Sequence, residues 1–101
     1  MIIYNITCKV DWTVHDRWIA WVKEVYLPQM FGTTLFYHGQ LVKLLDTDET
    51  DGPTYALQLY AHSIENYRLF LTSKQTEPLR RLHNQWQQSV VTFGSVMQLV
   101  D

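Results

Sequence analysis

The stretch Ile2-Ile3-Tyr4-Asn5-Ile6-Thr7-Cys8-Lys9-Val10 decides how this chain is built. Every even position in it is apolar, whereas Asn5, Thr7 and Lys9 between them are polar. Side chains alternate between the two faces of a β-strand, so the pattern predicts a strand over Ile2–Val10 with one face in a core. The three polar residues then point away from that core.

An amphipathic helix is predicted next. Apolar residues recur at spacings of three and four, at Val14, Trp18, Trp21, Val22 and Val25. Thr13 is the expected N-cap, and Pro28 disfavours continuation of the helix, because proline restricts the residue before it. The predicted helix runs from Val14 to Leu27.

The rest of the chain predicts a hairpin, a broken helix and a last strand. Two β-prone arms, Leu35–Leu45 and Thr54–Ala61, flank an acidic, turn-forming segment. Ser63 and Thr76 are expected to begin two short helices, or one broken helix, between Ile64 and Gln88. Val90–Val100 is rich in β-branched residues and predicts a strand, with a bulge expected at Gly94.

Composition narrows the function classes. The 101 residues are 47% hydrophobic and 18% charged, which predicts one folded domain over residues 1–101. The net charge is −2 and no basic run occurs, so nucleic acid is not an expected partner. No apolar stretch is long enough for a membrane helix, no leader pattern is visible, and a single cysteine cannot form an internal disulfide; we therefore expect a cytoplasmic protein.

The order of elements predicts an α+β fold. Strand, helix, strand, strand, helix, strand is the ferredoxin-like βαββαβ arrangement, a four-stranded antiparallel sheet with helices on one face. One face of that sheet is left uncovered. On the two central strands it is expected to carry Ile3, Asn5, Thr7, Lys9, Ala56, Gln58, Tyr60 and His62.

Three segments resemble a bacterial family of small domains of unknown function. They are Met1–Thr7, the helix pattern of His15, Trp18, Trp21 and Lys23, and the hairpin return Asp51–Gln58. The family is similar to the dimeric α/β-barrel superfamily, whose relatives include antibiotic-biosynthesis monooxygenases, muconolactone isomerases and haem-degrading enzymes. The resemblance implies a homodimer whose two uncovered sheet faces meet, and it assigns no reaction to individual residues.

The uncovered face supplies the candidate functional residues. Asn5, Thr7, Gln58 and His38 are the expected ligand-binding residues, and Tyr60 and His62 are the candidates for catalysis. A hairpin symmetric about Thr50 would place His38 opposite His62. Such an imidazole pair could transfer protons near neutral pH, or could simply be a polar pair at a strand end or dimer rim.

Neither a metal nor a cofactor is expected. The segment Asp46–Leu57 has acids at its first and third positions like a calcium loop, but it has Asp51 where glycine is required and Leu57 where glutamate is required. The histidines lack a third ligand at a metal-binding spacing. The tryptophans at helical spacing are expected in the core, or around a flat ligand held between the first helix and the sheet.

Two hypotheses of different classes follow. The first is a homodimeric domain that binds a small hydrophobic or aromatic molecule, with cofactor-independent oxidation or isomerisation as the chemistry it could support. The second is a non-catalytic module whose uncovered face serves for dimerisation or for holding a protein partner.

Overall fold

A computed structural model describes the whole chain, Met1–Asp101. Its sheet has four antiparallel strands in the order β2-β3-β1-β4. The strands are β1 (Ile2–Val10), β2 (His38–Lys43), β3 (Thr54–Ala61) and β4 (Val90–Gln98). The helical elements are α1 (His15–Trp21), a π-helical turn (Val22–Tyr26), α2 (Leu27–Gly32), α3 (Ile64–Thr72), α4 (Glu77–Arg80) and a 3-10 helix (Leu82–Trp86). This arrangement confirms the predicted fold class.

The core lies between the sheet and the helices. The even residues of β1 face the helices, and Cys8 and Val10 are completely buried. Trp18, Val22, Tyr26 and Met30 close over them from the first helix, and Phe36 and Phe70 complete the core from the loop before β2 and from α3. The period-2 pattern of β1 and the helical pattern that follows it thus meet in one apolar layer. No helix of the protein is both long and apolar enough to cross a bilayer.

The first helix is longer than predicted. It runs from His15 through the π-turn to Gly32 and therefore passes Pro28, which the sequence suggested as its end. Proline lacks an N–H and crowds the preceding turn. Here that turn is π-helical, with Leu27 N–H donating to the Val22 carbonyl five residues back, and the helix continues beyond it.

The expected N-cap of this helix was also wrong. Val14 occupies the cap position and offers no side-chain hydrogen bond. The hydroxyl and backbone N–H of Thr13 both donate to Asp11 Oδ1 instead, at 2.8 Å each, in a local turn. These two bonds lower the pKa of the Asp11 carboxyl.

The hairpin register differs from the prediction by two residues. His38 lies opposite Tyr60, Gln40 opposite Gln58 and Val42 opposite Ala56. The pairing of His38 with His62 is therefore wrong. A shift of two keeps each residue on its predicted face, because side chains alternate with a period of two. Strand β2 is also shorter than the predicted arm, which began at Leu35.

The C-terminal half contains one further correction. Ser63 caps α3 as predicted, its hydroxyl accepting from Asn66 N at 3.3 Å, and a break separates α3 from α4. Strand β4, however, pairs with β1 without interruption from Val90 to Gln98, so Gly94 marks no bulge. Instead, the absence of a side chain at Gly94 leaves space for the ring of Tyr4. A Cβ at Gly94 would lie 3.4 Å from that ring.

Candidate functional site

The uncovered face of the sheet is organised in rows that cross all four strands. A polar row lies in the middle, and two largely apolar rows flank it. In the order β2, β3, β1, β4 the middle row is Gln40, Gln58, Asn5 and Ser95; one flanking row is His38, Tyr60, Ile3 and Met97, and the other is Val42, Ala56, Thr7 and Phe93.

A hydrogen-bonded chain of side chains links the polar residues. Gln40 Nε2 donates to Gln58 Oε1 at 2.9 Å and lies 3.0 Å from the Tyr60 hydroxyl. Gln58 Nε2 donates to Asn5 Oδ1 at 3.3 Å, and Asn5 Nδ2 donates to Thr7 Oγ1 at 3.2 Å. Four predicted site residues, Asn5, Thr7, Gln58 and Tyr60, therefore belong to one network, with Gln40 as a member that the sequence did not single out.

The two histidines predicted for this site are separate from each other, and neither is hydrogen-bonded to that network. His38 packs edge-on against Tyr60, with ring centroids 5.1 Å apart. His62 stacks on Tyr37 at 4.0 Å with an interplanar angle of 14°. Both histidines are exposed, and neither lies in a cavity of the fold.

The same face carries exposed apolar side chains at the β4 edge. Phe93 and Val91 are 67% and 71% exposed, Met97 on the same strand is also exposed, and so is Val42 on β2 at the opposite edge. Lys9 is the only Lys, Arg, Asp or Glu of the face, and its ammonium donates to the Asp48 carbonyl in the hairpin loop at 3.2 Å. The face therefore alternates between apolar and polar rows and has little net charge.

A groove of about 830 Å³ opens on the other side of the molecule. It lies between the end of α2 with its following loop and the segment that joins α3 to α4. Its lining comprises Gln29, Gly32, Thr33, Thr34, Leu35, Leu69, Ser73, Gln75, Thr76 and Leu79. Three leucines, four hydroxyl groups and two amides line this groove, and none of its side chains is charged. No sequence pattern predicted these residues as one site, because they come together only through tertiary packing.

Both walls of the groove are held by local hydrogen bonds. On the α2 side the Thr33 hydroxyl donates to the Met30 carbonyl at 2.7 Å, and Thr34 has the positive φ of 62° that β-branched residues rarely adopt. On the α3 side the buried Thr76 hydroxyl contacts the Phe70 carbonyl at 2.5 Å, and the Arg80 guanidinium donates to the same carbonyl.

The space between the first helix and the sheet is filled. Trp18, Val22, Tyr26 and Met30 are at most 1% exposed there. The flat ligand expected between helix and sheet has no room, so the expectation about its position was wrong. Burial also raises the pKa of the Cys8 thiol to about 12, which leaves this cysteine an inert core residue. No group of three or more His, Cys, Asp or Glu side chains is arranged to hold a metal ion.

Comparison with known proteins gives a family and a fold. A family model described as a domain of unknown function, DUF4286, matches residues 1–100. No curated protein matches the chain. Among solved structures, HapK from Hahella chejuensis aligns over 99% of this chain and 93% of its own, with a TM-score of 0.72 and 7% identity.

Two enzymes share the same architecture. An antibiotic biosynthesis monooxygenase aligns over 100% of both chains with a TM-score of 0.65 and 14% identity. The hydroxynitrile lyase from Passiflora edulis aligns over 99% of this chain and 96% of its own, with a TM-score of 0.60 and 15% identity. At these identities the likeness establishes the ferredoxin-like fold and no more.

Proposed function

Since the chain belongs to the DUF4286 family of domains of unknown function, its activity has to be argued from its own surfaces, and we propose that it is a homodimeric domain that binds a small, uncharged and partly apolar molecule. The groove between α2 and α3 is the observation that carries the binding function. Its volume of about 830 Å³ falls within the range of roughly 300 to 1,000 Å³ that is usual for small-molecule sites.

The lining of the groove supports a ligand without charge. Leu35, Leu69 and Leu79 offer an apolar surface, and the amides of Gln29 and Gln75 are free of other side-chain hydrogen bonds. A buried charge needs a partner of opposite sign, and this lining has none. A compact molecule with an aromatic or aliphatic body and one or two hydrogen-bonding groups fits it best.

The uncovered sheet face supports the dimer. An isologous interface brings the same patch of two copies together about a two-fold axis. A two-fold axis that runs along the polar row, in the plane between the two sheets, exchanges the two flanking rows. Apolar residues such as Phe93 and Met97 would then face apolar residues, and Gln58 would face polar ones. Because Lys9 is the only formally charged side chain of the face, two copies would meet with little repulsion.

The size of the face is sufficient. On spacings of about 3.3 Å per residue and 4.8 Å per strand, the face covers roughly 500 Å². Two such faces would together bury about 1,000 Å², the lower limit of a specific interface. In the dimer Asn5, Thr7 and Gln58 would therefore be interface residues and not ligand contacts.

A non-catalytic dimerisation module is the second candidate, and the hydrogen-bonded row favours it. The polar groups of Gln40, Gln58 and Asn5 are paired with one another and do not converge on an open space. If the groove binds no ligand, dimerisation through the uncovered face would be the function of the domain.

Two leucines of α3 test the ligand site. Leu69 lines the groove, whereas Leu71 is exposed on the same helix outside it. Uncharged aromatic fragments such as phenol, indole, benzamide and menadione are titrated against the protein and followed by ligand-observed NMR. We expect Leu69→Lys to weaken the binding of the best fragment at least tenfold and the matched Leu71→Lys to leave it unchanged. Failure of all fragments to bind at millimolar concentration, or equal effects of the two variants, would contradict the proposal.

A further inference from the structure

A carboxylate, an imidazole and a phenol form a hydrogen-bonded line at the start of α1, far from the groove. Asp16 Oδ1 lies 2.9 Å from His15 Nδ1, and His15 Nε2 lies 2.7 Å from the Tyr55 hydroxyl. His15 and Asp16 are neighbours in the first turn of α1, whereas Tyr55 lies 40 residues further along the chain, on β3. The groove lies near the opposite end of the same long helix, so the two sites are independent.

The ionisation of the partners determines the direction of these bonds. A carboxylate can only accept, so Nδ1 of His15 carries a proton, and in the neutral imidazole Nε2 then has a free lone pair. The Tyr55 hydroxyl must donate to that lone pair. Burial raises the pKa of Tyr55, the charges of Glu49 and Asp16 raise it further and Lys43 opposes them, so the phenol is protonated and able to donate at neutral pH.

The surroundings leave this line accessible, with the Asp16 carboxylate fully exposed, and hold the imidazole and the phenol in place. The His15 side chain is 19% exposed, and Tyr55 is only partly buried. The ring of Trp12 packs on His15 with centroids 5.1 Å apart, and its Nε1 donates to the Glu49 carbonyl at 2.8 Å. Tyr55 itself stacks on His15 at 5.7 Å and 27°. The phenol and the imidazole therefore keep their relative orientation.

A hydroxyl bonded to a base, with the base oriented by a third group, is the arrangement that activates a nucleophile. We propose that Tyr55 is a nucleophile that accepts an acyl group from an activated ester, with His15 as its base and Asp16 as the residue that positions His15. Lys43, directly opposite Tyr55 on β2, lies on the same side of the sheet, and its ammonium is paired with the Glu49 carboxylate at 3.3 Å.

The step balances as a simple acyl transfer. The phenol oxygen of Tyr55 attacks the acyl carbon while its proton passes to His15 Nε2. The bond between the acyl carbon and the leaving aryl oxygen breaks, and that oxygen departs as a phenolate. The imidazolium returns the proton to it, so the products are a tyrosyl ester and a free phenol.

The test is acetylation by p-nitrophenyl acetate, followed by the release of p-nitrophenolate and by peptide mass spectrometry of the folded protein. Tyr37 is a matched comparison, because it is exposed and its ring stacks on His62 without a hydrogen bond to it. We expect one acetyl group on Tyr55, formed at least tenfold faster than on Tyr37. Tyr55→Phe should abolish this label, and Tyr37→Phe should leave it unchanged.

Variants of His15 and Asp16 distinguish the proposed base from the residue that positions it. General-base catalysis typically contributes 10² to 10⁴-fold, so His15→Gln should slow labelling of Tyr55 by at least tenfold. Asp16→Asn should slow it less, and should also shift the ¹⁵N signals of His15 toward the other tautomer, a change that a merely structural role would not produce. Labelling of Tyr55 no faster than that of Tyr37, or undiminished in a folded His15→Gln variant, would overturn the proposal.

Discussion

Gln58 and Asn5 lie directly opposite each other on β3 and β1, and Gln58 Nε2 donates to Asn5 Oδ1 over 3.3 Å. The other end of the Gln58 amide accepts from Gln40 at 2.9 Å. Gln58 is therefore the link that joins the polar row across three strands of the uncovered face.

Gln58→Leu should destabilise the protein. The substitution leaves Asn5 Oδ1 without its donor, whereas Gln40 keeps its contact with the Tyr60 hydroxyl, and Asn5 is only 9% exposed. A buried polar group left unpaired costs about 1 to 3 kcal/mol. Urea unfolding at fixed protein concentration should show a correspondingly lower midpoint.

Gln87→Leu is the control for this substitution, because Gln87 is exposed and its side chain makes no hydrogen bond. If both leucine variants unfold at the midpoint of the wild type, the polar row contributes nothing to stability.

Gly52→Ala should be far more harmful than Gly32→Ala. Gly52 has a φ of +156°, and a Cβ there would lie 1.8 Å from the Val10 carbonyl oxygen. Val10 N also donates to the Pro53 carbonyl at 2.9 Å, so neither side can move away freely. Strain and collision together predict a loss of at least about 2 to 3 kcal/mol.

A Cβ at Gly32 would meet nothing within 4 Å, so Gly32→Ala serves as the matched control. Thermal unfolding followed by circular dichroism measures both variants. Equal melting temperatures for the two would mean that the hairpin loop is not packed against the end of β1 as described.

His83 makes stability fall as the solution is acidified. Its ring packs against Tyr26 at 4.6 Å and Trp21 at 5.7 Å, and neither ring nitrogen has a hydrogen-bond partner. Burial lowers the pKa of His83 from 6.5 to about 4. Between these two pH values His83 is protonated in the unfolded chain and neutral in the folded protein. The free energy of unfolding therefore decreases by up to about 1.4 kcal/mol for each unit by which the pH is lowered.

His83→Leu should remove that part of the slope, whereas His62→Asn at an exposed site should keep it. Urea unfolding at pH 7, 6 and 5 gives the slopes. A wild type and a His83→Leu variant that lose stability in parallel would show that His83 is already charged in the folded state.

The strand faces were predictable because each follows from a local period. Alternation in Ile2–Val10 and Thr54–Ala61 placed Asn5 and Gln58 on the uncovered face and Cys8 in the core, as the structure has them. These assignments depend only on which neighbours are apolar.

The hairpin register was not predictable, because it depends on contacts outside the hairpin. The end of the loop is bound to the β1–α1 connection, where Trp12 N donates to the Asp51 carbonyl at 3.2 Å. The segment Asp51–Pro53 therefore packs against the end of β1 and does not pair with β2. The loop is closed by Leu44 N donating to the Thr54 carbonyl at 2.9 Å, and symmetry about Thr50 is lost.

The groove and the line from Asp16 to Tyr55 could not be predicted from the sequence either, because both depend on contacts between distant segments of the chain. Thr34 and Ser73 come to line one groove, and His15 meets Tyr55, only once the helices have packed on the sheet. The first helix shows a related limit: Pro28 predicts an end, and only the packed π-turn reveals that the helix continues.

The sedimentation equilibrium of the purified protein tests the central claim most directly, since the dimer is what the uncovered face is proposed to make. Between about 1 and 500 μM the account predicts twice the 12.0 kDa mass of the chain, with Phe93→Asp reduced to a single copy and the control Leu71→Asp unchanged. A wild-type protein that sediments at 12.0 kDa at every concentration would contradict the account.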